Sequence, residues 1–277
     1  MAITASDVNK LRQQTGAGMM DCKNALVEAN GDFEAAVDIL RKKGQKIAAK
    51  RGDNDAKEGV IIAQASADGK SGVILTLNCE TDFVAKNDGY VAMVQSLVDI
   101  ALDKLPATVE ELKALPYDAR LSVEEKITEQ VGVVGEKLDL SGYAVMNSNF
   151  VVAYNHPGNQ LATLVGLSAG TAADIAEAGR QVAMQVAAMN PIAIDKDGVD
   201  ARTIEREIEV GKDLAIQEGK PAEMAEKIAL GRLNKFFQEN TLLSQAFVRD
   251  NKMTVEQFLN STEKDLTVTD FKRFSLS

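Results

Sequence analysis

One order of elements is legible twice in this chain, and few folds accommodate it: apolar strand, tight turn, apolar strand, loop, amphipathic helix. The first copy has strands at 60–65 and 73–77 about a turn at Asp68-Gly69-Lys70. Its helix, over 90–102, carries Val91, Val94, Leu97, Val98 and Leu102 on one face. In the second copy, 150–154 and 161–167 flank a turn at His156-Pro157-Gly158-Asn159, and the helix carries Ile175, Val182, Met184, Val186 and Met189. The apolar spacing changes from strand-like to helical within each copy. Two such units predict an α+β protein with two similar core subdomains. The copies differ in their loops, Thr81-Asp82-Phe83 in the first and Gly170-Thr171-Ala172 in the second. Matching scaffolds around unlike loops assign a task to the decorated loop.

Helices surround these units. Residues 1–44 read as three short helices. Ser6 is placed to cap the first, which bears Val8 and Leu11 and ends at Thr15-Gly16. The second runs over 19–29 to Asn30-Gly31, a left-handed stop. Asp32 caps the third, which carries Phe33, Ala36, Val37 and Leu40 and stops near Gly44. Such a trio buries its apolar stripes as a small bundle. Gly16-Ala17-Gly18 is a tight inter-helix turn and not a phosphate loop, because no strand precedes it and no Gly-Lys-Ser/Thr follows. Residues 45–57, with Lys46, Lys50, Arg51, Asp53, Asp55 and Lys57, read as a solvated linker, partly helical at most. Thr108 with Glu111 and Ser122 with Glu125 form capping boxes that open two middle helices, the second reaching about Val134.

Beyond Asn190-Pro191, Ile204, Ile208, Leu214 and Ala215 fall on one helix and Met224, Ile228, Leu233, Phe236 and Phe237 on another, broken at Gly219-Lys220-Pro221. This predicts an antiparallel hairpin with a narrow apolar seam, whose tip or flank is the alternative use in assembly. Thr254 with Gln257 opens a short helix, and 266–274 is expected to add a strand to the second subdomain. The resulting domains are 1–44, a linker at 45–57, 58–142, 143–190 joined by 241–277, and the inserted hairpin 191–240.

Composition removes several classes of function. A net charge of −10 and the absence of Trp argue against a broad basic or stacking surface for nucleic acid. Two cysteines, Cys22 and Cys79, make no disulfide framework or metal-ligand spacing and read as buried thiols of a reducing compartment. No apolar run reaches the roughly 20 residues of a membrane span, and no signal-peptide core stands at 1–10, so a soluble cytoplasmic protein is expected. His156 is the one histidine, set in a polar turn, and no third group orients a Cys79–His156 dyad. No metal or cofactor site is expected, and protein binding stands ahead of enzymology. Phe83 admits two readings. Its ring folds back onto the core, as large apolar side chains usually do, or it points outward as an anchor for another protein.

Two stretches resemble the signatures of translation elongation factor Ts. They are Leu11-Arg12-Gln13-Gln14-Thr15-Gly16-Ala17-Gly18-Met19-Met20-Asp21-Cys22-Lys23-Asn24-Ala25-Leu26 and Cys79-Glu80-Thr81-Asp82-Phe83-Val84-Ala85-Lys86-Asn87. Gly219-Lys220-Pro221, Lys227-Ile228, Gly231-Arg232 and Phe247-Val248 are similar to further family positions, so the likeness covers nearly the whole chain. It implies a guanine nucleotide exchange factor for elongation factor Tu, with a ubiquitin-associated-like helical domain, two related core subdomains and a hairpin able to mediate a homodimer. It implies that Asp82 and Phe83, completed by Thr81 and Val84, reach the partner near its magnesium site. Met19, Met20 and Lys23 would serve the N-terminal contact, and His156, Val248 and Arg249 a distal one. The alternative is a non-catalytic binding module acting through residues 1–44. Two departures stand out: Glu136-Lys137 occupy positions where relatives often carry basic residues, and the chain stops soon after Phe274, where many relatives add a helix.

Overall fold

Thr4, and not Ser6, opens the first helix of the computed structural model, which describes residues 3–169 and 173–276. The Thr4 hydroxyl accepts from Asp7 N at 3.2 Å, and the Asp7 carboxylate accepts from Thr4 N at 2.9 Å, so α1 (Ala5–Thr15) begins in a complete capping box. Ser6 has no such acidic partner three residues on. Gly16 ends α1 in the left-handed conformation, and α2 (Met19–Glu28) follows. As expected, Asp32 caps α3, accepting from Ala35 N at 3.1 Å. Leu11, Cys22, Ala25, Leu26, Ala36 and Val37 form the small core of this trio.

The third helix does not stop at Gly44. It runs over Phe33–Arg51 and takes in much of the stretch read as a linker. Gly44 is there for contact. A Cβ at this position would lie 2.9 Å from the carbonyl oxygen of Thr128, on α7 (Val123–Val134), and one at Gly132 would lie 2.9 Å from Gly44 Cα. The two helices therefore touch backbone to backbone, with Arg41 paired to Glu125 at 3.2 Å beside the crossing.

β1 (Glu58–Ala65) and β2 (Ser71–Cys79) form the first hairpin. The one-turn α4 (Asp82–Ala85), the long α5 (Asp88–Lys104), α6 (Val109–Ala114) and α7 follow. β3 (Asp139–Asn147), which has no clear alternation in the sequence, then pairs antiparallel with β2. It runs across the boundary drawn between 142 and 143. β4 (Phe150–Asn155) and β5 (Leu161–Leu167) make the second hairpin and lead to α8 (Ala173–Met189). The Gly170-Thr171-Ala172 loop lies outside the described residues. After the helical pair α9 (Ala201–Gln217) and α10 (Ala222–Asn240) come β6 (Ala246–Phe247), β7 (Asp250–Thr254), α11 (Val255–Thr262) and β8 (Val268–Ser275). β8 pairs with β5, as the sequence predicts for the last run.

Alternation along the strands builds four layers. On β2, Val73, Leu75 and Leu77 face α5 and pack with Tyr90, Val94 and Leu97. Ile74 faces the other way, meeting Ile61, Ala63, Met146, Val151, Ala162 and Leu164 between the two sheets. Val165 and Leu167 on β5 pack outward against Val182 and Val186 of α8. A layer order of helix, sheet, sheet, helix results. Hydrogen bonds also join the sheets: Asn155 exchanges two with the Ala63 backbone, at 2.8 and 2.9 Å.

The seam of the α9–α10 pair is built from small residues, Gly211, Ala215, Ala225 and Ala229, with Leu233. A Cβ on Gly211 would lie 3.1 Å from the Ala229 Cα and Cβ, so the axes come close and exclude bulk. Leu214 and Met224, expected on the seam, are exposed. Among the described residues no helix is long and apolar enough to cross a membrane.

Candidate functional site

The loop after β2 is where the two readings of Phe83 separate. Its ring is 85 % exposed, while Val84 and Ala85 beside it pack onto the first core. An aromatic without neighbours stays out only if its backbone is held, and here the holding groups are identifiable. The Glu136 carboxylate accepts from Glu80 N at 3.1 Å, Thr81 N at 3.0 Å and the Thr81 hydroxyl at 2.6 Å. Glu80 answers by accepting from Lys137 N at 2.6 Å. Its carboxylate also takes two bonds from Arg51, at 2.9 and 2.8 Å, and one from Asn54 at 3.0 Å. The Lys137 ammonium donates to the carbonyls of Gly52 and Asn54, at 2.6 and 3.0 Å. The end of α3, the end of β2 and the segment after α7 are thus tied at one point.

Each neighbour in the loop has a defined partner. Asp82 pairs with Lys86 at 2.6 Å, and that hydrogen bond holds its carboxyl below the usual range. The Lys137 amide, followed by Arg51 and Asn54, does the same for Glu80. Asn87 accepts from Gly89 N and Tyr90 N to open α5. Arg51, Asn54 and Glu80 carried no signal in the sequence as loop supports, because their partners are remote. Glu136 and Lys137, which the family resemblance marks as a departure, serve inside the molecule.

A second site collects three more of the predicted residues. His156, Val248 and Arg249 line one pocket of about 480 Å³ with Tyr154, Gln185 and Phe247. Tyr154 Oη lies 2.9 Å from His156 Nδ1. Val248 and Arg249 form the tight turn between β6 and β7, held from beneath by Gln185, which is wholly buried. Gln185 accepts from Val248 N at 2.8 Å and donates to Gln245 and to the Ala246 carbonyl, both at 3.1 Å. Buried amides that satisfy every partner define a single geometry. Sequence reading passed over Gln185, since a glutamine inside an apolar helix pattern looks like a solvent position. Met19, Met20 and Lys23 are exposed on α2, whereas Cys22 faces the core.

A family model described as Elongation factor TS matches residues 80–277. The chain belongs to the elongation factor Ts family. It is 54 % identical over 273 residues to Elongation factor Ts of Amoebophilus asiaticus, covering 99 % of this chain and 98 % of that protein. The Cytophaga hutchinsonii protein of the same name is 51 % identical over 275 residues, with 99 % of both chains covered. That of Porphyromonas gingivalis is 46 % identical over 277 residues, covering 100 % of this chain and 99 % of the other.

Elongation factors Ts are nucleotide exchange factors of translation elongation, and this chain is an exchange factor, not an enzyme of covalent chemistry. The thiols agree with that assignment. Cys79 is fully buried, donates to the Thr81 carbonyl at 3.2 Å, and burial pushes its pKa up to about 11. A thiol so protonated is a poor nucleophile. Among the described residues no group of His, Cys, Asp or Glu is arranged to hold a metal ion.

Proposed function

We propose that this member of the elongation factor Ts family releases GDP from elongation factor Tu in the cytoplasm by inserting Phe83 beside the partner's magnesium site. The single observation that carries the reading is the Phe83 ring, 85 % exposed on a backbone tied at Glu80 and Thr81. Thr81, Asp82 and Val84 complete the inserted segment. The wedge does no chemistry. It displaces groups that hold the magnesium, the β-phosphate loses compensating charge, and the diphosphate leaves.

Magnitudes require more than one contact. Weakening a nucleotide by roughly 10⁴-fold takes about 5.5 kcal/mol of differential binding, and the coupling is reciprocal. One buried phenylalanine supplies about 1.5–3 kcal/mol. The remainder falls to Met19, Met20 and Lys23 on the N-terminal trio, read as a ubiquitin-associated-like domain, and to the His156, Val248 and Arg249 pocket on the second of two related core subdomains. This reading places the exposed methionines in the same interface as Phe83, in preference to a separate binding module at 1–44. Val210, Leu214, Ile216, Met224 and Leu230, exposed along the hairpin, are the surface proposed for a homodimer, which sedimentation at rising concentration tests.

The direct experiment is release of labelled GDP from purified elongation factor Tu. The intact chain is expected to accelerate it and to co-elute with the nucleotide-free partner but not in excess GDP. Acceleration by Phe83→Ala equal to that of the intact chain would refute the wedge.

A further inference from the structure

We infer that Glu136 is the positioning residue of the exchange loop, setting Phe83 for insertion without touching the partner's nucleotide site itself. The inference rests on the exchange reading above. Phe83 contributes little to its own placement, since the residue is 85 % exposed. What fixes it is the path of the backbone two and three residues earlier, and there one carboxylate does most of the holding. Glu136 Oε2 accepts from two successive amides, Glu80 N and Thr81 N, while Oε1 takes the Thr81 hydroxyl. Two successive N–H groups aimed at one oxygen define the direction in which the chain leaves β2. The third bond fixes the roll of the turn about that direction.

Thr81 carries independent testimony. It stands at the N-cap of α4, where a threonine hydroxyl ordinarily accepts from an amide of the first turn. Here no such cap bond forms, and the hydroxyl donates to Glu136 instead. The residue best suited to stabilising α4 locally is therefore turned to a remote anchor. The reverse bond, Lys137 N to Glu80, makes the clasp reciprocal, so the two segments cannot slide along each other without losing both halves. A preset loop meets its target without an ordering step, which is the general advantage of preorganisation.

The test is a four-variant series in the labelled-GDP assay at saturating factor. Glu136→Ala is expected to slow release about tenfold, as displacement of a positioned group by about an ångström can cost more than this. Glu136→Gln is expected to stay within about threefold, since its carbonyl can still accept from both amides and its NH₂ can donate to a rotated Thr81 hydroxyl. In a Phe83→Ala background, Glu136→Ala should cost nothing further, because residues acting through one another are not additive. Full activity of Glu136→Ala alongside a slow Phe83→Ala would overturn the inference and leave the wedge standing. So would a Gln variant as slow as the Ala variant, or an undiminished loss in the Phe83→Ala background, which marks general damage. An unaltered rate for Phe83→Ala would instead remove the wedge, and the positioning role with it.

Discussion

Substituting alanine for glycine should have opposite effects at two helical positions of this protein. Gly231 on α10 has open space where a Cβ would go, with no heavy atom within 4 Å. Gly231→Ala should therefore yield the propensity difference alone, about 0.8–1 kcal/mol of added stability. Gly44 on α3 has the same propensity to gain. However, its Cβ would sit 2.9 Å from the Thr128 carbonyl oxygen and 3.5 Å from Gly132 Cα, both backbone atoms that no rotamer change can move. Overpacking of this kind costs about 1–3 kcal/mol, so Gly44→Ala should range from neutral to about 2 kcal/mol destabilising. The two mutants should differ by about 1–3 kcal/mol, with Gly231→Ala the more stable. Hydrogen exchange at amides of α3 and α10 reads each opening free energy locally and does not require the chain to unfold in one step. Equal stabilisation by both substitutions would refute the backbone contact between α3 and α7, and with it the account of why α3 passes Gly44.

Three further outcomes follow from the site. Phe83→Ala should leave the thermal midpoint nearly unchanged: the ring is 85 % exposed, and its remaining burial is worth well under about 1 kcal/mol. GDP release should nevertheless fall by about 10–150-fold, the equivalent of losing one buried phenylalanine at the partner. Because Glu80 is held below its usual value of 4.5, it contributes stability that is complete above that pH and lost as pH falls through the lower folded value. Glu80→Gln should accordingly show a shallower loss of thermal midpoint on acidification below pH 4.5 than the intact chain. Cys22 and Cys79 are both buried, and the Cys79 thiol is raised to about 11. An alkylating reagent at pH 8 should label neither in the native protein and both in urea; rapid native labelling of Cys79 would contradict its burial.

Features written in adjacent residues were legible in the sequence. Asn30-Gly31 ends α2, Asp32 caps α3, and Ser122 and Thr254 open their helices in complete boxes, because each motif is satisfied within a few residues. Strand and helix alternation located both hairpins and the long helices behind them. Gly44 misled because a glycine that ends a helix and one that admits a second helix look alike until Gly132 is beside it. β3 was not legible, since Ser141 and Gly142 interrupt its apolar alternation. The loop was recognisable as special, but the direction of Phe83 was not, because that direction depends on Glu136, which is remote in the chain. Likewise His156 and Val248 share a pocket although they are remote in sequence, with Val248 N held by the buried Gln185.

The pairing of the two sheets face to face has a mechanical corollary. The Phe83 loop leaves the end of β2 and the His156 pocket lies on the other sheet, while Ile61, Ile74, Val151 and Leu164 interlock between them. The spacing between the loop and the pocket is thereby set beforehand, like the jaws of a locked gauge. On the exchange reading proposed above, a partner that engages both meets a spacing fixed on this side, and any adjustment between the two contacts falls to the partner.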